Sequence, residues 1–152
     1  IPASNNLIPE VTIMFHHILV PVDFTPKNRK ALEITLQMAE SNKPSVSLLH
    51  VVEVIEDTTF EEFGDFYAGL QKRAEKKMAG LVAFCRNRGV EVTDKIVFGN
   101  RVQEILKYAD EAGVDLIVMS SHKLELEEPS RDWGTISYKV GILSQCPVLL
   151  VK

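Results

Sequence analysis

Asp23 stands directly after the apolar run 18–22, so a carboxylate is delivered at the end of a segment built to be buried. Such a group either accepts hydrogen bonds from a ligand or closes a turn. Far downstream, Ser120 and Ser121 follow another apolar run, and Gly134, Thr135 and Ile136 open what reads as a helix. A helix start offers unpartnered N–H groups and the positive end of a dipole, which suits an anion; the plainer reading makes Thr135 an ordinary N-cap. The four histidines, His16, His17, His50 and His122, have no partner at a metal-binding spacing, and packed or surface roles are expected of them. Acids at Glu53, Glu56, Asp57, Glu61, Glu62 and Asp65, with no basic residue among them, read as a solvated loop sooner than as a cation site. The chain has no Gly-x-Ser-x-Gly elbow, no Gly-x-x-x-x-Gly-Lys-Ser/Thr loop and no Cys-x-x-Cys pair. No catalytic residue and no metal ligand is therefore expected.

Those residues need elements to position them. The run 18–22, apolar without alternation, is the mark of a strand covered on both faces of a parallel sheet. Thr25 and Pro26 supply an N-cap and a first helical position, and Ala31, Ile34, Thr35 and Met38 then share a helical face until 41–44 stops it. Residues 46–52 read as a second strand. A long helix follows at 66–88, with Leu70, Ala74, Met78, Leu81, Val82 and Cys85 inward and Gly89 as its cap. The third strand falls at 90–97, and Asn100 with Gln103 resembles a capping box opening a helix that Gly113 ends, with Val102, Ile105, Leu106 and Ala109 inward. A fourth strand at 115–119, a helix at 135–144 with Ile136, Val140 and Leu143 on one side, and a fifth strand at 148–151 complete the cycle. This alternation predicts an α/β fold, a five-stranded parallel doubly wound sheet with helices on both faces. Ligands of such sheets sit beyond the carboxyl ends of the strands where strand order reverses, which points to the loops after strands one and four.

With 152 residues, 45% of them hydrophobic, the chain suffices for one domain with a continuous core. Residues 1–14 lack periodicity and read as a tail, a linker or a cloning remnant, with the domain proper at 15–152. A formal net charge of -4 offers no broad cationic surface, so neither nucleic acid nor an acidic membrane is an expected partner. No stretch reaches the roughly 20 apolar residues of a bilayer span. Cys85 and Cys146 lie far apart, and a reduced, cytoplasmic protein is expected.

Taken in order, Val22-Asp23-Phe24-Thr25 after the first strand, Leu49-His50-Val51, Gly99, the run 115–122, Gly134-Thr135 and the closing Cys146-Pro147-Val148-Leu149-Leu150-Val151 resemble the universal stress protein family. The resemblance runs from about residue 15 to the end of the chain. It implies a Rossmann-like fold of the universal stress protein type. It also implies an adenine-nucleotide site, with base and ribose on Pro21, Val22, Asp23, Val51 and Met119 and phosphates near Ser120, Ser121, Lys123, Gly134, Thr135 and Ile136. The family's phosphate loop has the form Gly-x-x-Gly, a spacer, then Gly with Ser or Thr. Here Ser120 and Lys123 stand where the first two glycines fall, and the spacer to Gly134 is one residue longer. A side chain where positive φ is required costs about 1 kcal/mol or more. Glu125, Glu127, Glu128 and Asp132 repel a polyphosphate that only Lys123 and Arg131 attract. Trp133 reads as a packing or interface residue.

The favoured expectation is a dimeric stress-response regulatory module, not an enzyme, whose adenine-nucleotide site is degenerate. No cofactor is required; AMP or ATP is the candidate ligand. The alternative is an AMP/ATP sensor with a rebuilt phosphate loop, favouring AMP because fewer phosphates must be housed. Adenylyl transfer, open to the wider adenine-nucleotide α-hydrolase-like group, is disfavoured by the lack of a basic motif for a transferring phosphoryl group. The resemblance implies a homodimer through Val148, Leu149, Leu150 and Val151, an apolar sheet edge that must be paired or covered. The apolar stretch 8–13 folding across that edge is the competing arrangement, and an unidentified protein partner is a further expectation.

Overall fold

The computed structural model describes residues 14–121 and 135–152. Strands β1 (His17–Pro21), β2 (Ser45–Glu53), β3 (Val92–Gly99), β4 (Leu116–Ser120) and β5 (Val148–Val151) alternate with helices α1 (Asn28–Asn42), α2 (Phe60–Asn87), α3 (Arg101–Glu111) and α4 (Ile136–Leu143). Every strand pairing is parallel, in the order β3-β2-β1-β4-β5. The chain builds outward from β1 to β3, then returns to the far side of β1, so strand order reverses between β1 and β4. This is the doubly wound sheet that the alternation predicts. Most of the expected tail, together with His122, Lys123, the acids at 125–132, Trp133 and Gly134, lies outside the described residues.

Successive residues of β1 face opposite layers, which is why the strand carries no polar residue in its middle. Ile18 and Val20 join Leu32, Leu36, Met78 and Cys85 on the side of α1 and α2, while Leu19 joins Ile105, Ala109, Ile117 and Val140 on the side of α3 and α4. None of the three is more than 1% exposed, and burial of each contributes about 1.5–3 kcal/mol. No helix of the described residues is long and apolar enough to cross a membrane. Cys85 is buried and Cys146 half-buried, and neither is in a disulfide.

The amino end of β1 is fastened to β4 by Asp115. Its carboxylate accepts from the His16 amide at 2.8 Å and the His17 amide at 2.9 Å, and its own N–H donates to the His17 carbonyl. Burial works to raise this carboxyl's pKa, but the two amides and the His16 ring outweigh it and hold the group below its ordinary value. The His17 ring donates from Nδ1 to the Ala112 carbonyl at 3.0 Å and presents Nε2 to Ser47 Oγ at 2.7 Å. Both histidines serve the sheet.

Several boundaries differ from expectation, each for a local reason. α1 starts at Asn28 rather than at Thr25 and Pro26, because the Thr25 hydroxyl donates to Asp23 Oδ1 at 2.7 Å instead of capping the helix. The amides of Asn28 and Arg29 close a turn on the carbonyls of Thr25 and Pro26. The buried face of α1 is therefore Asn28, Ala31, Leu32, Thr35, Leu36 and Ala39, with Ile34 and Met38 only partly buried. α2 starts at Phe60, well before residue 66. Thr59 Oγ1 accepts from the Glu62 amide at 3.2 Å, and Glu61 and Glu62 occupy the first turn, where the helix dipole favours acids. The acidic run expected as one loop is thus part loop and part helix, with a kink at Phe63 (φ -122°, ψ 27°). β3 and β4 begin later than expected because the Val90 amide closes α2 on the Cys85 carbonyl and Asp115 is engaged by His16 and His17. Leu143, expected inward, is 55% exposed, since α4 ends at that residue and the chain turns away toward β5.

Candidate functional site

Beyond the carboxyl ends of β1 and β4, where strand order reverses, the exit loops diverge around a cleft of about 180 Å³. Pro21, Val22 and Asp23 reach it from β1 and its exit turn, and Val51 from β2. Met119, Ser120 and Ser121 come from β4 and its exit, Thr135 and Ile136 from the start of α4. These nine residues are the ones the resemblance assigns to a nucleotide site, apart from Lys123 and Gly134, which lie outside the described residues. Lys27, Asn28, His50, Arg101 and Ser137 also line the cleft and were not anticipated.

Asp23 closes the turn and also lines the cleft. Oδ1 accepts from the Thr25 amide at 2.9 Å and the Thr25 hydroxyl at 2.7 Å, closing a side-chain turn. Among the described residues Oδ2 has no partner. The turn itself is held by Asn28, which is buried. Its Oδ1 accepts from the amides of Asp23 at 2.9 Å and Phe24 at 2.8 Å, and its Nδ2 donates to Ser120 Oγ at 3.3 Å. The Ser120 hydroxyl donates in turn to the Lys27 carbonyl at 3.1 Å. One amide side chain therefore ties the exit of β1 to the exit of β4. Its signal in the sequence was its place on the same helical face as Ala31, Leu32 and Thr35.

Two cations face the cleft. Arg101 is the first residue of α3, set by the Asn100 cap, whose Oδ1 accepts from the Gln103 amide at 3.1 Å. Gly99, just before, holds φ +151°, and a Cβ there would meet Glu104 Cγ at 2.9 Å, so only glycine brings the chain round to Arg101. Arg101 Nε lies 3.7 Å from Glu53 Oε2, with both side chains partly exposed. Such a contact is weak, and the guanidinium stays available. Lys27 makes no ion pair among the described residues.

His50 donates from Nδ1 to the Val22 carbonyl at 2.8 Å, with its ring 4.3 Å from that of Phe24. Burial pushes its pKa down; the Val22 carbonyl opposes this, and Arg101 adds to it. The neutral ring keeps its proton on Nδ1, which leaves Nε2 an acceptor. On the α4 side, Ser137 donates to Ser121 Oγ at 3.1 Å, and the Ser121 amide donates to the Val151 carbonyl at 2.8 Å. Thr135 occupies the N-cap position but makes no side-chain cap bond; its hydroxyl lies 3.3 Å from Ser137 Oγ. The cleft is thus an apolar slot of Val22, Val51, Met119, Ile105 and Ile136 with hydroxyls, one carboxylate and two cations around it.

Residues 14–152 match the family model described as the Universal stress protein family. The chain belongs to the universal stress protein family. This universal stress protein is 33% identical over 150 residues to Universal stress protein YxiE of Bacillus subtilis, covering 91% of this chain and 100% of that one. It is 31% identical over 160 residues to Universal stress protein MJ0577 of Methanocaldococcus jannaschii, covering 93% and 98% of the two chains. The solved structure of MJ0577 superposes with a TM-score of 0.79 over 91% of this chain and 96% of that one. A universal stress protein from Archaeoglobus fulgidus, solved in complex with dAMP, superposes with a TM-score of 0.66 at 19% identity over 89% and 96%, a likeness of fold.

Proposed function

We propose that this universal stress protein is a cytoplasmic regulatory module, not an enzyme, that binds an adenine mononucleotide in the cleft and acts as a homodimer. The observation that carries the nucleotide reading is the convergence of Pro21, Val22, Asp23, Val51 and Met119 on one cleft with hydroxyls and cations beside them. A flat base suits the slot between Val22, Val51 and Met119. Asp23 Oδ2 accepts from ribose hydroxyls, and Arg101 and Lys27 offer charge-assisted bonds to a phosphate. Universal stress proteins of this fold have been solved in complex with dAMP and with cAMP, ligands with one phosphate each. The non-catalytic part of this reading rests on the sequence, which has no Gly-x-Ser-x-Gly, Gly-x-x-x-x-Gly-Lys-Ser/Thr or Cys-x-x-Cys motif.

The dimer reading rests on a different observation. Among the described residues β5 pairs only with β4, Leu149 is 36% exposed, and Ile142 and Leu143 at the end of α4 are 77% and 55% exposed. Calorimetric titration with AMP, ADP and ATP tests the nucleotide reading. AMP is expected to bind best, and Asp23→Ala to weaken it at least about tenfold with little change in melting temperature. Submicromolar ATP binding with much weaker AMP binding overturns it. Unchanged AMP affinity in Asp23→Ala removes the carboxylate from the site.

A further inference from the structure

A second concavity, of about 490 Å³, lies on the other side of the β1–α1 turn, between that turn, the start of α1 and the second half of α2. Its volume falls inside the roughly 300–1,000 Å³ of small-molecule sites. It shares with the cleft only Asn28. Phe24, Leu32, Leu81 and Phe84 form its apolar walls, Arg29 and Lys77 stand among them, and no carboxylate of the described residues lines it.

Both cations are loosely held. The Arg29 guanidinium carbon lies 5.7 Å from the centre of the Phe84 ring and Lys77 Nζ 5.9 Å from that of Phe24, near the outer limit for a cation over a ring, about 6 Å. Neither makes an ion pair among the described residues. The start of α1 adds to this charge. Its first turn has no acid, and Lys27, Arg29 and Lys30 crowd the positive end of the helix dipole, an unfavourable placement that a bound anion offsets. Lys30 is engaged by the Lys152 carbonyl at 2.7 Å, so the charge left facing the concavity is that of Arg29 and Lys77.

Gly80 also lines the concavity. It faces the concavity from within α2, and no atom lies within 4 Å of the place its Cβ would take. A glycine inside a helix costs about 1 kcal/mol relative to alanine, and here neither a close contact nor a left-handed φ requires it. A larger side chain at this position would enter that open space.

We propose that this concavity is a second ligand site, for a small amphiphilic carboxylate: an alkyl or aryl body against Phe24, Leu32, Leu81 and Phe84, with its single negative charge on Arg29 and Lys77. The test is calorimetric titration of the whole chain with decanoate below its micellar concentration, with decanol as the uncharged control. Decanoate is expected to bind once per chain and at least about tenfold more tightly than decanol. The double substitution Arg29→Gln with Lys77→Gln abolishes that preference. Gly80→Leu fills the space and removes binding of both ligands while the melting temperature holds or rises. The proposal is overturned if decanoate does not bind, if decanol binds equally well, if the preference survives the double substitution, or if Gly80→Leu binds like the parent. Binding confined to a glutamate-rich peptide, with none by decanoate, assigns the surface to a protein partner and likewise overturns it.

Discussion

Among the described residues, the two edges of the sheet present the same kind of unpaired backbone and treat it differently. β3 turns Thr93, Asp94 and Lys95 to solvent, whereas β5 is Val148, Leu149, Leu150 and Val151, with no charge at all. A charged edge discourages another strand from docking, because pairing would strip water from the charges; an apolar edge invites it. Neighbouring exposed apolar groups at Ile142 and Leu143 extend the second surface. The difference is what the proposed dimer through β5 rests on, and it comes from side chains alone.

The sharpest way to break this comparison is Leu149→Lys. Leu149 lies on the face opposite Val148 and Leu150, which pack toward α3 and α4, so it can carry a charge with little damage to the core. The expected result is a dimer weakened by at least about 2 kcal/mol, roughly thirtyfold, because the ammonium meets its own copy across a two-fold axis. Sedimentation equilibrium measures it. A parent protein that is monomeric at micromolar concentration ends the dimer reading.

Both edges depend on the centre, and Asp115 is where the centre is pinned. Asp115→Ala leaves the amides of His16 and His17 without their acceptor and is expected to cost about 1 kcal/mol, discounted for the group's exposure. Because the folded carboxyl sits below its ordinary pKa, its contribution is complete above the unfolded value and is lost as pH falls through the lower, folded one. Urea unfolding across the acid range should therefore show a steeper loss for the parent than for Asp115→Ala. Parallel curves would remove Asp115 from the acid response.

The smallest effect on the monomer, within about 0.5 kcal/mol, is expected from Asp94→Val with Lys95→Val on β3. The consequence lies in association. With both edges apolar, species larger than a dimer should appear with concentration in light scattering. If none do, the charges on β3 are not what closes that edge.

How much of this was legible depended on whether one residue type had one available partner. The strands read well because β1, β2 and β4 are covered on both faces, and no polar residue was tolerable between Ile18 and Val20. Asp23 and Thr135 were findable because they follow a strand and open a helix, whereas Met119 came from the family resemblance. The pair Thr25 and Pro26 misled, since a hydroxyl that types as a helix cap was taken by Asp23 two residues away. The start of α2 had a signal, Thr59-x-x-Glu62, that the density of acids obscured. Asn28 and Arg101 were harder. A buried amide's worth lies in whom it joins, here the amides of Asp23 and Phe24 with Ser120, and that pairing exists only once α1 packs. Arg101 reaches the cleft from the end of β3, away from the point where strand order reverses.

The central place of β1 has a consequence for how the molecule is made. Its contact with β2 crosses only α1, but the His16 amide and the Asp115 carboxylate that bind β1 to β4 are 99 residues apart. Synthesis at roughly 5–20 residues per second separates their emergence from the ribosome by about 5–20 s. In that interval β1, β2 and β3 can already pair while the other flank of β1 has nothing beside it, and contacts so distant in sequence also close slowly. The hazardous period for this protein is therefore its own translation, when the strand destined for the centre of the sheet is still an edge.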